Sequence, residues 1–342
     1  MKAILYLGAN EIQVTQVNDK PIPEGWAKIK VSHSGICGTD LNIYAGTHPR
    51  AKPPLIMGHE FSGTLENEVD GWKKGDKVTV YPLISCGECT PCKNGNGHVC
   101  NALGLYGIDK DGGFAQYAFV PSENLVKLPE GISMKLGALI EPIAVAVHTL
   151  RETGFTPGDN ALVFGAGTIG LCVALTLRLF GAREIVVAET DEKRLALAKD
   201  LGFVTVDPAK ENIVEYAKEK TGGDGFDCVY DCAGVQAVAN TLFDTIKVKG
   251  QIVVVASYKK PAELPLFKGM AKELSVRFVR VYRKKDMEIA AEIAVKEPAF
   301  EKIITHVLPV ERAQEGFDLL FKKGSGAVKV MFTFGGQENE TV

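Results

Sequence analysis

Asn160-Ala161-Leu162-Val163-Phe164-Gly165-Ala166-Gly167-Thr168-Ile169-Gly170 runs a short apolar segment straight into a glycine-rich turn. The apolar segment reads as a buried strand, and the residues after it, over 168–180, read as a helix. A lone G-x-G-x-x-G carries little information. This one has a strand before it, a helix after it and Glu189 nineteen residues beyond the last glycine. Gly165 allows the tight turn, Gly167 has no Cβ to block a pyrophosphate, and Gly170 lets helix and strand pack closely. Thr168 and Ile169 open the helix, whose free N–H groups and positive dipole end favour phosphate. Glu189 closes the next strand, over 184–188, where a carboxylate accepts hydrogen bonds from ribose hydroxyls and repels a 2′-phosphate. Thr190 and Asp191 add no positive charge, and Arg194 is placed to stack on adenine. The turn therefore predicts NAD rather than NADP. The bland alternative is a glycine turn in some other doubly wound domain.

Around the turn, strand and helix alternate. Asp191 caps a helix that carries Leu195, Ala198 and Leu201 on one face. Further apolar strands fall over 227–230 and 251–255, and near-continuous apolar strands predict a parallel sheet covered on both sides. The first 135 or so residues differ: short alternating strands such as Ala27–Ser32 stand between Gly and Pro punctuation, which predicts a β-rich domain. A buried helix over 136–152, broken early by Pro142, marks the change. The helix and strands after residue 286 are too few for a domain of their own and are expected to return to the first. The organisation expected is a β-rich domain over 1–147 and 287–342, and an α/β, doubly wound, dinucleotide-binding domain over 148–286. Residues 335–342 are polar and expected to fray.

With 342 residues the chain exceeds what one core fills, in line with two domains. It is 46% hydrophobic and 24% charged, with a net charge of −3, which gives no reason to expect nucleic acid or an anionic membrane surface. No apolar run approaches the roughly 20 residues that span a bilayer. The start, Met1-Lys2-Ala3-Ile4-Leu5-Tyr6, lacks a signal peptide's apolar core, so a cytoplasmic location is expected.

Eight cysteines remain to be sorted. Cys86, Cys89, Cys92 and Cys100 follow C-x2-C-x2-C-x7-C, a cluster that in a reducing compartment predicts metal rather than disulfides. Four sulfurs make a closed structural zinc site. The long final spacing, with Asn101 after it, speaks against an iron–sulfur cluster, and His98 is not needed to complete the shell. Cys172, Cys228 and Cys232 lie in apolar segments and are expected in the core. Cys37, in Cys37-Gly38-Thr39-Asp40, is joined about twenty residues on by Gly58-His59-Glu60. Thiolate, imidazole and carboxylate are the ligands of a catalytic zinc with one open position. Neighbours on a regular strand face opposite ways, so His59 and Glu60 both reach a metal only from irregular backbone. Glu141, before Pro142, is the other candidate carboxylate.

Together these motifs, with Glu141-Pro142, resemble the zinc-containing medium-chain alcohol dehydrogenases over essentially the whole chain. Glu141 stands where the classical members have a third zinc cysteine, which points to the sorbitol, 2,3-butanediol, threonine and sugar-acid branch. The resemblance implies a GroES-like catalytic domain plus a Rossmann domain, one catalytic and one structural zinc ion, and a homodimer or homotetramer. It implies hydride transfer between NAD and a secondary alcohol of a diol, polyol or sugar acid, with threonine or sugar-acid (idonate or galactonate) 5-dehydrogenation as the alternative. Cys37, His59 and Glu60 would hold the catalytic zinc and Thr39 would start the proton relay. Ala256 joins the cofactor contacts, and Tyr44 and Tyr282 are candidates for the substrate pocket. Many relatives have a histidine where Asn42 stands, so the proton is expected to leave by the ribose, water or His48. A non-catalytic NAD sensor on the same scaffold would lack a zinc ligand, and none is lost. A zinc-ribbon nucleic-acid binder would need a basic face that the composition does not supply.

Overall fold

Alternation in Trp26–Gly35 sends Ala27, Ile29 and Val31 to one buried face and leaves Lys30 exposed. This strand is the hub of the β-rich unit in the computed structural model, which describes residues 1–334. It pairs antiparallel with Glu60–Leu65, Tyr117–Pro121 and Lys329–Thr333. Lys77–Val80, Leu125–Lys127 and Ile304–Pro309 complete a seven-stranded sheet, and a separate three-stranded sheet holds Lys2–Gly8, Glu11–Gln16 and Leu55–Ile56. The predicted tail of residues 335–342 lies outside the described residues.

Two compact units divide the chain. Of the described residues, the first comprises Met1–Glu141, Arg283–Lys323 and 329–334; the second comprises Pro142–Tyr282 and Gly324–Val328. In the second, six strands are all parallel, in the order Val204–Val206, Glu184–Ala188, Asn160–Phe164, Phe226–Asp231, Ile246–Val254 and Ser275–Phe278. The central three are apolar and almost wholly buried, as strands covered on both faces must be. The order reverses beside Asn160–Phe164, and in such sheets ligands bind at that reversal, beyond the carboxyl ends of the strands.

The helix expected over 136–152 is instead two, Met134–Ala138 and Ile140–Arg151, separated at Leu139. Pro142 sits in the first turn of the second, where its missing N–H would have had no helical partner, so it does not break the helix. Cys172 and Cys228 are core residues as expected, whereas Cys232 is half-buried in the turn after Phe226–Asp231. Among the described residues no helix is long and apolar enough to cross a membrane.

Candidate active site

Cys37 precedes the short helix Gly38–Tyr44, and Asp40 in its first turn accepts the Cys37 backbone N–H at 2.8 Å. That bond fixes the direction in which the thiol leaves the backbone. His59 lies just before the strand that begins at Glu60, and Gly58, with φ +90°, supplies the irregular backbone that both side chains need. The outcome is a cluster in which ligand atoms of Cys37, His59 and Glu60 all lie within 4.8 Å of one another. His59 and Glu60 are buried. Glu141, in the first turn of Ile140–Arg151, is buried as well and close enough to act on His59 and Lys329 by charge, but it is not part of that cluster.

Two observations test whether these residues suit a divalent cation. His59 Nδ1 and Asp40 Oδ1 are buried, make no hydrogen bond and stand 3.9 Å apart, the arrangement of a metal-ligating imidazole whose other nitrogen is turned to a carboxylate. The field agrees. Burial disfavours the charged imidazole, yet Asp40, Cys37 and Glu141 outweigh it and hold the His59 pKa well above the usual value. Burial raises the pKa of Asp40. A largely buried site with this much negative charge suits zinc.

Sequence reasoning missed one member of the site. Lys329 is buried, donates to both Glu60 oxygens at 2.8 and 2.5 Å and to the Ile36 carbonyl at 2.9 Å. All three ammonium protons are thus used. Gly35 makes room for the pair, since a Cβ there would come within 2.3 Å of Glu60 Oε2. The signal was a single lysine inside the apolar run Ala327-Val328-Lys329-Val330-Met331-Phe332.

In the four-cysteine loop the Sγ–Sγ distances are 3.4 Å (Cys89–Cys92 and Cys86–Cys100), 3.8 Å (Cys89–Cys100) and 4.0 Å (Cys86–Cys92). A tetrahedron with metal–sulfur bonds of about 2.3 Å has edges of about 3.8 Å, so the loop is already shaped for zinc. Backbone N–H groups of Asn101 and Cys92 lower the Cys89 thiol to about 6, and that of Cys86 lowers Cys100. Cys92 is pushed up to about 12 by burial and by hydrogen bonds to its thiol neighbours, which favour the protonated form that metal binding would displace.

At the glycine turn, Gly165 has φ +98°, and a Cβ on Gly170 would sit 1.8 Å from the Gly165 carbonyl oxygen. A Cβ on Gly167 would meet nothing nearer than Arg194 at 4.0 Å, which leaves open the face a pyrophosphate needs. Glu189 has a structural task in the turn. Its carboxylate takes the N–H groups of Ala166 (2.9 Å), Thr190 (2.7 Å) and Asp191 (2.9 Å), tying the turn to the next strand. Thr168 donates its hydroxyl to the Val328 carbonyl, and the Arg194 guanidinium donates to that of Ala327, so both are clipped to Gly324–Val328. Ala256 bonds its N–H to the Asp231 carbonyl at 2.9 Å.

Thr39 is half-buried in the first turn after Cys37. The Asn42 carbonyl accepts the Thr47 and His48 N–H groups, making Asn42 an anchor for the loop that carries His48. His48 Nδ1 accepts the Ala51 N–H at 3.2 Å, and burial, then Arg50, lowers its pKa. Of the two tyrosines, Tyr282 is fully buried, and Tyr44 is buried with its ring stacked on Phe317 and its hydroxyl bonded to Gln314.

A dinucleotide-binding parallel sheet in one unit and a clustered thiol–imidazole–carboxylate set in the other define an NAD-linked, zinc-dependent dehydrogenase. Residues 23–130 match the alcohol dehydrogenase GroES-like domain and residues 168–296 the zinc-binding dehydrogenase domain. The chain is 35% identical to 2-dehydro-3-deoxy-L-galactonate 5-dehydrogenase of Pseudoalteromonas atlantica, covering 91% of this chain and 92% of that protein. It is 34% identical to (R,R)-butanediol dehydrogenase of Bacillus subtilis, covering 97% and 99%. The crystal structure of 2R,3R-butanediol dehydrogenase from Bacillus subtilis superposes with a TM-score of 0.90 at 32% identity over 98% of this chain and 99% of that one. An alcohol dehydrogenase from Escherichia coli CFT073, complexed with NADH, does so with a TM-score of 0.89 at 29% identity over 98% and 99%. The chain belongs to the zinc-binding alcohol dehydrogenase family, with a GroES-like domain and a Rossmann domain. It is an oxidoreductase that uses zinc and NAD.

Proposed function

We propose that the substrate is a secondary alcohol within a diol, polyol or sugar acid, oxidised reversibly to the ketone. The observation that carries this reading is the Cys37–His59–Glu60 cluster, with His59 and Glu60 buried and Cys37 half-buried, a three-ligand set that leaves one position for a hydroxyl oxygen. When bound, zinc supplies Lewis-acid polarisation of that oxygen and NAD accepts the hydride. Cys37, His59 and Glu60 hold the metal, Asp40 orients His59, and Glu141 stands by as a further carboxylate. Thr39, two residues after Cys37, takes the hydroxyl proton outward. Gly165, Gly167, Thr168, Ile169, Gly170, Glu189, Arg194 and Ala256 bind and orient the dinucleotide. The relatives' own substrates, a butanediol and a sugar acid, support this substrate class. The experiment is a panel of 2,3-butanediol, sorbitol, L-threonine, L-idonate and galactonate with NAD, following NADH absorbance. Turnover of none of them, by a preparation holding zinc, would overturn the reading.

The chain also acts as a homo-oligomer, joined through the sheet edge Ser275–Phe278. All four of these residues are exposed, Phe278 by 68%. The neighbouring helix Leu266–Ala271 exposes Leu266, Phe267 and Met270 by 68–76%. An edge with no partner strand among the described residues, beside an apolar patch, invites pairing, and a two-fold axis lets the edge pair with its own copy. Phe278→Asp is expected to turn a dimer or larger assembly into a monomer by size-exclusion chromatography with light scattering. A monomeric wild-type protein would refute the interface.

A further inference from the structure

We propose that Tyr258 is a positioning residue for the nicotinamide half of the dinucleotide, acting through the carboxylate of Asp231. The inference rests on the dinucleotide reading above and adds a residue to it.

The sheet decides which half of the cofactor is concerned. Glu189, the ribose-reading acid, ends Glu184–Ala188 on one side of the central strand Asn160–Phe164. On the other side stand Phe226–Asp231 and then Ile246–Val254. Each half of a doubly wound sheet holds one mononucleotide. The adenosine lies with Glu189, so the nicotinamide nucleotide lies over the segments that follow Asp231 and Val254.

Asp231 ties those two segments together. It is fully buried, and its Oδ1 accepts the N–H groups of Ala233 at 3.0 Å and Gly234 at 2.9 Å, fixing the turn after its own strand. Its carbonyl accepts the N–H groups of Val255 at 3.0 Å and Ala256 at 2.9 Å, fixing the start of the other. The remaining oxygen, Oδ2, takes the Tyr258 hydroxyl at 2.5 Å. Among the described residues that phenol is its one hydrogen-bond donor. The two segments touch with no slack, since a Cβ on Gly234 would come within 2.9 Å of the Ala256 Cβ. Burial and then the Asp231 carboxylate raise the phenol pKa, so Tyr258 remains a donor throughout the neutral range. The ring is half-buried and packs against the apolar core of the sheet, which anchors the donor from behind. A hydrogen bond to a buried charge is worth more than a neutral one, and its loss frees both the carboxylate and the segment that carries Ala256 and Ser257.

Tyr258→Phe removes a single oxygen and tests this. NADH binding is followed by fluorescence, and ADP-ribose, which keeps the adenosine and both phosphates but lacks nicotinamide, is followed by its competition with NADH. The expected result is about a tenfold rise in the NADH Kd with the ADP-ribose Kd held within about twofold, and a rise in the KM for NAD larger than any fall in kcat. Asp231→Asn should act in the same direction, because one amide oxygen cannot serve both the backbone pair and the phenol. Equal weakening of both ligands with a lowered melting temperature would mean a purely structural tyrosine and would overturn the proposal, as would no change in either. Failure of ADP-ribose to bind the wild-type protein would remove the dinucleotide reading itself.

Discussion

Cys37→Ser is expected to abolish alcohol oxidation while the protein still binds NADH. A serine hydroxyl is neutral near pH 7 and is a poor zinc ligand, so the site loses its only sulfur and with it the metal. Lewis-acid stabilisation of the reacting oxygen is worth several kcal/mol, and at 1.36 kcal/mol per tenfold the rate should fall by about 10³ or more. Zinc measured per chain should drop from two to one, because the four-cysteine loop supplies its own complete shell. NADH titration should be unaffected, since the dinucleotide residues belong to the second unit. This separates a catalytic Cys37 from a packing one, which would lower stability and leave the metal count alone. A variant that keeps more than about a tenth of the wild-type kcat would show that the reaction does not depend on this metal centre.

Much of this was legible because the decisive residues come in short runs. The glycine turn, its strand and helix, and Glu189 sit in thirty consecutive residues (160–189), and local steric rules fix what they do. The four cysteines fold on themselves within fifteen residues, so spacing alone predicts their geometry. What escaped depends on residues far apart in the chain. Lys329 reaches Glu60 across 269 positions, and no periodicity announces which buried lysine meets which carboxylate. The choice between Glu60 and Glu141 was open for the same reason: strand alternation sets His59 and Glu60 on opposite faces, and only the backbone at Gly58 lets both turn inward. Asp40 carries no readable task in its motif, because a carboxylate behind a histidine is recognised only once the two are seen 3.9 Å apart. Tyr44 and Tyr282 drew attention as aromatics and proved to be buried, the commoner fate of such rings.

Lys329→Met should be the most damaging single change to the stability of the first unit. Its ammonium and the Glu60 carboxylate are 3% and 2% exposed, so neither has water to fall back on. In metal-free protein, where no cation stands beside Glu60, taking away one partner leaves a buried charge without compensation, which costs about 3–5 kcal/mol, far more than the pair contributes over an apolar substitute. The chain has two tryptophans, Trp26 and Trp72, and both belong to the unit that holds the pair, so fluorescence during urea unfolding reports the relevant transition. The decisive measurement is the double-mutant cycle with Glu60→Gln. Once the carboxylate is neutral the methionine has no charge to strand, so the double variant is expected to be more stable than Lys329→Met alone, with a coupling of at least about 2 kcal/mol. Strict additivity of the two changes would mean that the pair is not an energetic unit. The same cycle bears on the metal, because Glu60 can turn toward zinc only as far as Lys329 lets go of its oxygens. Lys329→Met should therefore bind zinc at the Cys37 site no more weakly than the wild type even as the fold loses stability, a divergence that simple damage to the site would not produce.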